Sequence, residues 1–215
     1  MSKKYKLTDE TIKLNGVTLY RIEALKDFGE IKKGDKGGFI ESENNLAYEG
    51  NAWVSDDACV YDNARVCGNA HIYGEAWVYG NARVCEDACV FDNACVYNNA
   101  SVSGYAQVYG NAIVCGNAWL YDSARVYGDA LVRGDACVCG DAEISTDSDY
   151  IVFKNWWSSG RYFTWTRSNN MWSVGYFYGT GEELIKKAYK DSELSGREYE
   201  RIVKYVEEIR KDNGK

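Results

Sequence analysis

The most regular feature of the chain is an alanine at every sixth position from Ala52 to Ala142, sixteen in all. An aliphatic residue stands two places after each alanine, from Val54 to Ile144. Residues i and i+2 of a β-strand lie on one face, so these two positions point to the same side. The residue between them varies among tryptophan, cysteine, arginine and histidine, which is too mixed for a core. The pattern therefore predicts short strands whose alanine and aliphatic side chains face inward.

Glycine, asparagine and aspartate fill most of the last two places of the six-residue unit. These residues tolerate the left-handed backbone that a corner after every unit requires. Three such corners would close an eighteen-residue triangular coil, and the spacing resembles that of the hexapeptide-repeat left-handed β-helix family. That family usually has a small or acidic residue after the aliphatic, whereas this chain mostly has tyrosine or cysteine. The resemblance implies a mainly β fold, a left-handed parallel β-helix of about five and a third coils.

Residues eighteen apart should stack in columns along the three sides of this helix. Two columns are mostly aromatic and the third is rich in cysteine, so we expect ring ladders on two sides. The columns are Tyr73, Phe91, Tyr109 and Tyr127; Tyr61, Tyr79 and Tyr97; and Cys67, Cys85, Ser103, Tyr121 and Cys139.

One outward column, Cys59, Trp77, Cys95, Ile113 and Leu131, is wholly apolar. A long apolar stripe on an outer face is typical of a contact surface. We expect this column to form an oligomer interface, with a homotrimer favoured as in many proteins of the fold, or to be covered by the C-terminal segment.

The flanking segments differ in composition, and we expect three domains. Residues 1–45 form an N-terminal β cap, in which Asn15-Gly16 is a strong hairpin signal between two strands. Residues 46–145 form the hexapeptide β-helix, and residues 146–215 form a small α+β domain rich in tryptophan and tyrosine.

The cap and first coil resemble a particular group within the hexapeptide family. The similar segments are residues 24–34, the Gly-Gly-Phe-Ile sequence at 37–40 and the Gly-Asn-Ala-Trp sequence at 50–53. They are similar to the start of the YdcK-like bacterial proteins, which are classed with acetyltransferases, over roughly residues 4–64. The repeats are also similar to those of phage and gut-bacterial chains. The resemblance implies acyl transfer, although it follows the fold and not a catalytic motif.

The C-terminal segment has eleven aromatic residues among the thirty-one from 150 to 180, and no acid. We expect three strands, at 150–155, 161–167 and 172–178, with a turn at 168–170.

Two helices should follow the strands. The first would begin at Thr180 or Gly181 and end near Ser192. The second would be capped by Ser195, with Glu198 completing a capping box. An apolar stripe supports the second helix: Ile202, Val206 and Ile209.

Charge and targeting signals limit the partners. The net charge of −7 comes from the β-helix, which has four arginines, no lysine and thirteen acids, mostly at corners. Phosphate would be repelled, so duplex nucleic acid is not an expected partner. No apolar run reaches membrane-spanning length and the start lacks a signal peptide, so we expect a cytoplasmic protein. In that compartment Cys67 and Cys85 should be reduced.

Catalytic and metal signals are few. Acyl transfer on this fold ordinarily uses a histidine base, and His71 is the one histidine of the chain. Glu75 and Asp87 are the acids that could orient it. Cys137 and Cys139 form an isolated C-x-C without a second ligand pair, so no metal site is expected. Coenzyme A would be a cofactor only if the protein were an acyltransferase.

The aromatic and basic residues of the C-terminal segment are the preferred ligand-binding candidates. Aromatic faces stack on nucleobases or sugars, and arginine binds phosphate. The alternative is that the tryptophans only pack the small sheet. The candidate residues are Trp156, Trp157, Arg161, Trp165, Arg167 and Trp172.

Three functional hypotheses follow. The first is a non-catalytic oligomeric binding protein that captures a small anionic, nucleotide-like ligand. In this hypothesis a phage encodes the protein, which sequesters a host defence signal. The second is an acyl-CoA-dependent acyltransferase of the hexapeptide family. The third is a structural or protein-binding module that inhibits a host complex.

Overall fold

The computed structural model describes residues 3–213, which divide into two compact units between Asp149 and Tyr150. The first unit contains the N-terminal hairpin and a parallel β-solenoid of about six turns. The second contains a four-stranded antiparallel sheet and two helices. The domain limits expected from the sequence stay a prediction.

The N-terminal hairpin forms where Asn15-Gly16 predicts it. Strands β1 (Tyr5–Leu14) and β2 (Val17–Ala24) pair antiparallel, with Leu14 opposite Val17. Asn15 and Gly16 both have positive φ, 50° and 86°, as a two-residue hairpin turn requires. Strand β3 (Lys36–Ile40) pairs with β2 on one side and with the solenoid on the other, so the hairpin extends one face of the solenoid.

Sixteen two-residue strands, one per repeat, make the solenoid. They are Trp53–Val54 (β4), Cys59–Val60 (β5), Arg65–Val66 (β6), His71–Ile72 (β7), Trp77–Val78 (β8), Arg83–Val84 (β9), Cys89–Val90 (β10), Cys95–Val96 (β11), Ser101–Val102 (β12), Gln107–Val108 (β13), Ile113–Val114 (β14), Trp119–Leu120 (β15), Arg125–Val126 (β16), Leu131–Val132 (β17), Cys137–Val138 (β18) and Glu143–Ile144 (β19).

These strands stack into three parallel faces in the predicted eighteen-residue register. Face A contains β5, β8, β11, β14 and β17, face B contains β4, β7, β10, β13, β16 and β19, and face C contains β6, β9, β12, β15 and β18. All sixteen alanines and the following aliphatic residues are buried, at most 1 % exposed. The inward orientation predicted for both positions is confirmed.

The number of turns is slightly larger than the repeat count indicates. The first turn is irregular, because Phe39 pairs with Cys59 and Leu46 bridges Val66, a spacing of twenty residues in place of eighteen. Leu46 stands where the six-residue period would place an alanine, so the periodic pattern begins only at Ala52. The solenoid therefore has about six turns where about five and a third were expected.

The corner residues are bonded from turn to turn. Asp56, Asp62, Glu86, Asp92 and Asp122 have φ between 54° and 61°. Each of these carboxylates accepts a hydrogen bond from the glycine amide eighteen residues later, at 2.6–3.2 Å. Asparagine carboxamides form a second ladder, of which one series is Asn63, Asn81, Asn99, Asn117 and Asp135. The corner acids thus have a structural role.

Both predicted ring ladders are confirmed. Tyr73, Phe91, Tyr109 and Tyr127 stack with centroids 4.8–5.2 Å apart and planes within 9°. The Tyr61, Tyr79 and Tyr97 rings stack at 5.0 and 4.9 Å.

Side chains bond the backbone at both edges of the solenoid. Between turns the bonds run in both directions: Cys59 N donates to Ala76 O of the following turn at 2.9 Å, whereas Val66 N donates to Asn45 O of the preceding turn at 2.8 Å. At the N-terminal edge Lys4 Nζ donates to Ala52 O at 2.8 Å. At the C-terminal edge Asp147 accepts a hydrogen bond from Leu131 N at 2.9 Å. These two side chains satisfy backbone groups at the ends of the stack.

The second unit is an antiparallel sheet packed on two helices. Its core consists mainly of Phe163, Trp165, Trp172, Val174, Leu184, Tyr199, Val203 and Val206. The strands are Tyr150–Lys154 (β20), Tyr162–Thr166 (β21), Met171–Val174 (β22) and Phe177–Gly179 (β23), and the helices are Gly181–Asp191 (α1) and Glu193–Asn213 (α2). The third expected strand is thus divided in two by a turn at Gly175-Tyr176.

The helix caps differ from the prediction in one place. Thr180 caps α1 and forms a capping box with Glu183. Helix α2 begins before Ser195, whose amide donates to Ser192 Oγ at 3.1 Å, so Ser195 does not cap it. Glu198 pairs with Arg201 at 2.8 Å and completes no capping box there.

Candidate ligand-binding site

The loop at residues 155–161 joins β20 to β21 and is organised by Asn155. The Asn155 Oδ1 atom accepts hydrogen bonds from the amides of Trp157 and Ser158, both at 3.0 Å. Its Nδ2 atom donates to Ser158 Oγ at 2.9 Å, and its own amide donates to Arg161 O at 2.9 Å. Asparagine commonly forms such turns because its side chain mimics a backbone carbonyl. Asn155 is buried, so the loop has a fixed base.

This loop presents two tryptophans to solvent. Trp156 is 72 % exposed and Trp157 is 79 % exposed. Lys154 Nζ lies 4.2 Å from the centroid of the Trp156 ring and 4.8 Å from that of Tyr162. This cation–π contact restrains Trp156 on one side. The Trp157 indole is thus the more accessible stacking surface.

The turn between β22 and β23 lies at the same end of the sheet as the 155–161 loop. Gly175 has a φ of 59° and allows the tight turn, and Tyr176 beside it is fully exposed. A Cβ atom on Gly175 would lie 3.6 Å from Arg161 Cδ, so the arginine side chain runs next to this turn. We call the exposed set of Trp156, Trp157, Arg161 and Tyr176 the aromatic tip.

The aromatic tip includes three of the six residues proposed from the sequence, and it adds one. Tyr176 was missed because nothing in the pattern placed a turn inside the expected strand 172–178. The feature of the sequence that could have indicated this turn is Gly175, because a glycine inside a strand often marks a turn or bulge.

Trp165 and Trp172 do not belong to the aromatic tip. They lie opposite each other on β21 and β22 and are 3 % and 2 % exposed, within the core between sheet and helices. Trp165 Nε1 donates to Asn170 Oδ1 at 3.0 Å, which satisfies its polar edge. The prediction that all six residues line one pocket is corrected here, because strand alternation directs these two rings to the helices.

Arg167 lies at the opposite end of the sheet. It begins the turn between β21 and β22, whereas Arg161 ends the loop between β20 and β21. In an antiparallel meander, successive turns lie at opposite ends. Arg167 is therefore separated from the aromatic tip by the length of β21. A single ligand bound by both arginines would have to be as long as that strand.

The predicted apolar column does form on face A, with each residue in register with the next. Its first part is covered by the N-terminal hairpin. Cys59 is 3 % exposed in a cluster with Leu19 and Phe39, and Trp77 packs against that cluster. Cys95, Ile113 and Leu131 continue the column and are half-buried.

His71 lies on face B between Trp53 and Cys89 and is half-buried. Burial lowers the pKa of His71, a hydrogen bond with the Asn51 backbone opposes this, and the Lys4 charge lowers it further. Among residues 3–213, neither Glu75 nor Asp87 is a hydrogen-bond partner of His71, and Asp87 instead accepts from Asn69 at 3.0 Å. Neither of the two acids that could orient His71 therefore bonds to it in this part of the chain.

Cys67 and Cys85, which we expected to be reduced, are joined by a disulfide on face C, with Cα atoms 4.6 Å apart. Stacking on successive turns brings the two outward sulfurs into bonding distance.

Within the described range, no group of three or more His, Cys, Asp or Glu side chains is placed to hold a metal ion. No helix between residues 3 and 213 is long and apolar enough to span a bilayer.

Comparison with known families agrees with the repeat architecture. The sequence profile of the YdcK β-solenoid repeat matches residues 106–122. This match and the six-turn parallel solenoid together fit a YdcK-like repeat family. No curated protein matches the chain significantly.

Proposed function

We propose that this YdcK-like solenoid protein is a non-catalytic binding protein whose aromatic tip captures a small anionic, nucleotide-like ligand. The observation that carries the proposal is the exposure of Trp156 and Trp157 on a loop whose base is fixed by the buried Asn155. Large aromatic side chains that are exposed on an ordered loop commonly mark a surface that binds a ligand or a partner. Preorganisation also lowers the entropic cost of binding.

The chemistry of the aromatic tip suits a ligand with a flat ring and a negative charge. Stacking of a base on an aromatic side chain contributes about 1–3 kcal/mol. Arg161 supplies a planar guanidinium that can bind a phosphate through two hydrogen bonds. Residues 150–180 contain no acid that would repel it. Trp157 and Tyr176 would stack on the ring, and Arg161 would bind the phosphate.

A non-catalytic role is supported by the surroundings of His71. An imidazole base needs a group that orients it, and neither of the two acids considered for that task bonds to it. The proposal therefore requires no cofactor.

We further propose that the protein is a homo-oligomer, a trimer in the first instance, through Cys95, Ile113 and Leu131. These three residues continue an apolar column beyond the part that the N-terminal hairpin covers. The bacterial cytoplasm is the proposed location, and sequestration of a defence signal during phage infection is the proposed context.

Titration calorimetry of the full chain against a panel of cyclic and linear nucleotides tests the ligand. We expect one nucleotide to bind, and Trp157→Ala and Arg161→Ala each to weaken that binding about tenfold or more. Trp119→Ala is the matched control, because Trp119 is also an exposed tryptophan, 59 % accessible, but lies on the solenoid. Absence of heat with every nucleotide, or equal effects of Trp157→Ala and Trp119→Ala, would refute the proposal.

Light scattering coupled to size-exclusion chromatography tests the oligomer. Ile113→Glu should convert a trimer to a monomer, because it buries a charge in the proposed interface. Gln107→Glu, an outward substitution on face B, should leave the mass unchanged. A wild-type chain that elutes as a monomer contradicts the interface.

A further inference from the structure

A cavity lies at the N-terminal end of the first unit, and it shares no residue with the aromatic tip. Its volume is about 460 Å³, which is large enough for a small organic molecule. Lys4, Phe28 and Tyr48 line it, and the charged side chains of Lys26, Asp27 and Glu49 lie around it.

The walls of this pocket are aromatic and held in place. Phe28 forms a two-bond bridge with Ile31, at 3.0 and 2.9 Å, and its ring meets the Trp53 ring edge-on at 5.3 Å. The Tyr48 ring stacks on Tyr5 with centroids 4.9 Å apart. Two fixed rings provide flat apolar surfaces for a ligand.

Lys4 is the unusual member of the site, because it is only 1 % exposed. Its ammonium donates to Ala52 O at 2.8 Å and Gly50 O at 3.4 Å and lies 4.9 Å from the centroid of the Phe28 ring. Both hydrogen-bond acceptors are neutral carbonyls. Among residues 3–213, no carboxylate forms an ion pair with it, and an ammonium has three N–H groups. One N–H group is thus left without an acceptor, and the positive charge is met only by two carbonyl groups and the face of the Phe28 ring.

The environment of Lys4 disfavours its charge. Burial lowers the pKa of Lys4 to about 8, and the positive charge of Lys26 contributes in the same direction. A buried charge without a partner is costly to the fold, and a ligand of opposite charge would offset that cost.

We propose that this pocket binds a small aromatic carboxylate, whose carboxylate pairs with Lys4 and whose ring contacts Phe28 and Tyr48. The acidic side chains of Asp27 and Glu49 disfavour a dianion such as phosphate, whereas a monoanion is balanced by Lys4 and Lys26. The ring walls favour a flat ligand over an aliphatic one.

Binding should depend on the protonation of Lys4. The carboxylate prefers the charged amine, so affinity should be highest below pH 8 and should fall as Lys4 loses its proton above it. Lys26, Asp27 and Glu49 are the other charged side chains that line this pocket. The pKa of nearby His71 is lowered by burial and, to a smaller extent, by the positive charge of Lys4. Between pH 7 and pH 9 the apparent affinity should fall about tenfold.

The experiment is titration calorimetry of the full chain with benzoate, and with benzamide as the uncharged analogue of the same shape. We expect saturable one-to-one binding of benzoate, at least about tenfold weaker binding of benzamide, and no competition from inorganic phosphate. This ligand pair tests the charge without altering the protein. Equal binding of benzoate and benzamide, binding of neither, or displacement of benzoate by phosphate overturns the proposal.

Two variants locate the site. Lys26→Met removes an exposed charge and should weaken benzoate binding several-fold with the fold intact. Lys4→Met should abolish binding, and circular dichroism checks that it folds. If Lys4→Met does not fold, Phe28→Leu serves in its place, with an expected loss of about fivefold or more. Unchanged benzoate affinity in Lys26→Met together with Phe28→Leu would place the ligand elsewhere and overturn the assignment.

Discussion

The side-chain oxygen of Asn155 accepts a hydrogen bond from the Trp157 amide at 3.0 Å, although Asn155 is buried and Trp157 is largely exposed. A buried carboxamide thus fixes the backbone from which an exposed ring projects. Since the same oxygen also binds the Ser158 amide, one side chain determines the shape of the loop.

Asn155→Ala should loosen this loop and destabilise the second unit by about 1–3 kcal/mol, because two amides lose their acceptor. Urea denaturation gives the stability, and hydrogen exchange of residues 155–161 reports the loop. Asn44→Ala, at an exposed position in the first unit, is the control and should change neither. Unaltered exchange in Asn155→Ala would mean that the loop holds its shape without this side chain.

The corner glycines offer a matched pair of substitutions. Gly74 and Gly134 have nearly equal φ, 71° and 70°, but a Cβ on Gly74 would lie 2.9 Å from Asp92 N, whereas a Cβ on Gly134 meets nothing within 4 Å. Gly134→Ala should cost about 1–2 kcal/mol for the left-handed backbone alone. Gly74→Ala should cost about 1–3 kcal/mol more, because the next turn must shift. Equal free energies of unfolding for the two variants would contradict the close stacking of turns.

The ring ladders should show measurable coupling. In a double-mutant cycle of Phe91→Leu and Tyr109→Leu, whose rings stack at 4.9 Å, we expect an interaction energy of about 0.5–1.5 kcal/mol. The comparison cycle pairs Phe91→Leu with Tyr97→Leu, which belongs to the other ladder, and its effects should add. Additive effects in both cycles would show that the rings contribute burial alone.

Lys4 should make the stability of the wild type rise with pH relative to that of Lys4→Met. Its pKa is about 8 in the folded chain and 10.5 in the unfolded chain, so the unfolded chain binds more protons between these values. Lys4 therefore contributes a component of stability that increases with pH across this range, and Lys4→Met lacks this component. Urea denaturation at pH 7.5, 8.5 and 9.5 measures the difference between the two proteins. Parallel stability curves would show that Lys4 titrates alike in both states.

The solenoid was predictable from sequence because a single period fixed both the inward face and the columns. Ala52 to Ala142 gave the register, and from it the ring ladders and the apolar column. The first turn was not predictable, because residues 39–58 contain two more residues than a regular turn and Leu46 stands where the six-residue period would place an alanine.

The site was predictable only in part. Trp157 and Trp165 are the same residue type in one aromatic segment, and only the position of the loop relative to the strand decides which is exposed. Lys4 carried no signal at all, because a lysine near the start of a chain is usually solvated. Its burial follows from a contact with residue 52, which no local pattern encodes.

Because every regular turn pairs with the next in the same eighteen-residue register, the number of turns in the solenoid can vary without changing how its two ends are bonded. Lys4 bonds only to the first turn and Asp147 only to the last one. Neither contact depends on the number of turns between them. Adding or deleting eighteen residues at a corner would preserve every column and the contacts of Lys4 and Asp147 at the two ends. The length of the solenoid can therefore change in steps of one turn, about 4.8 Å, without a change in the residues at either end.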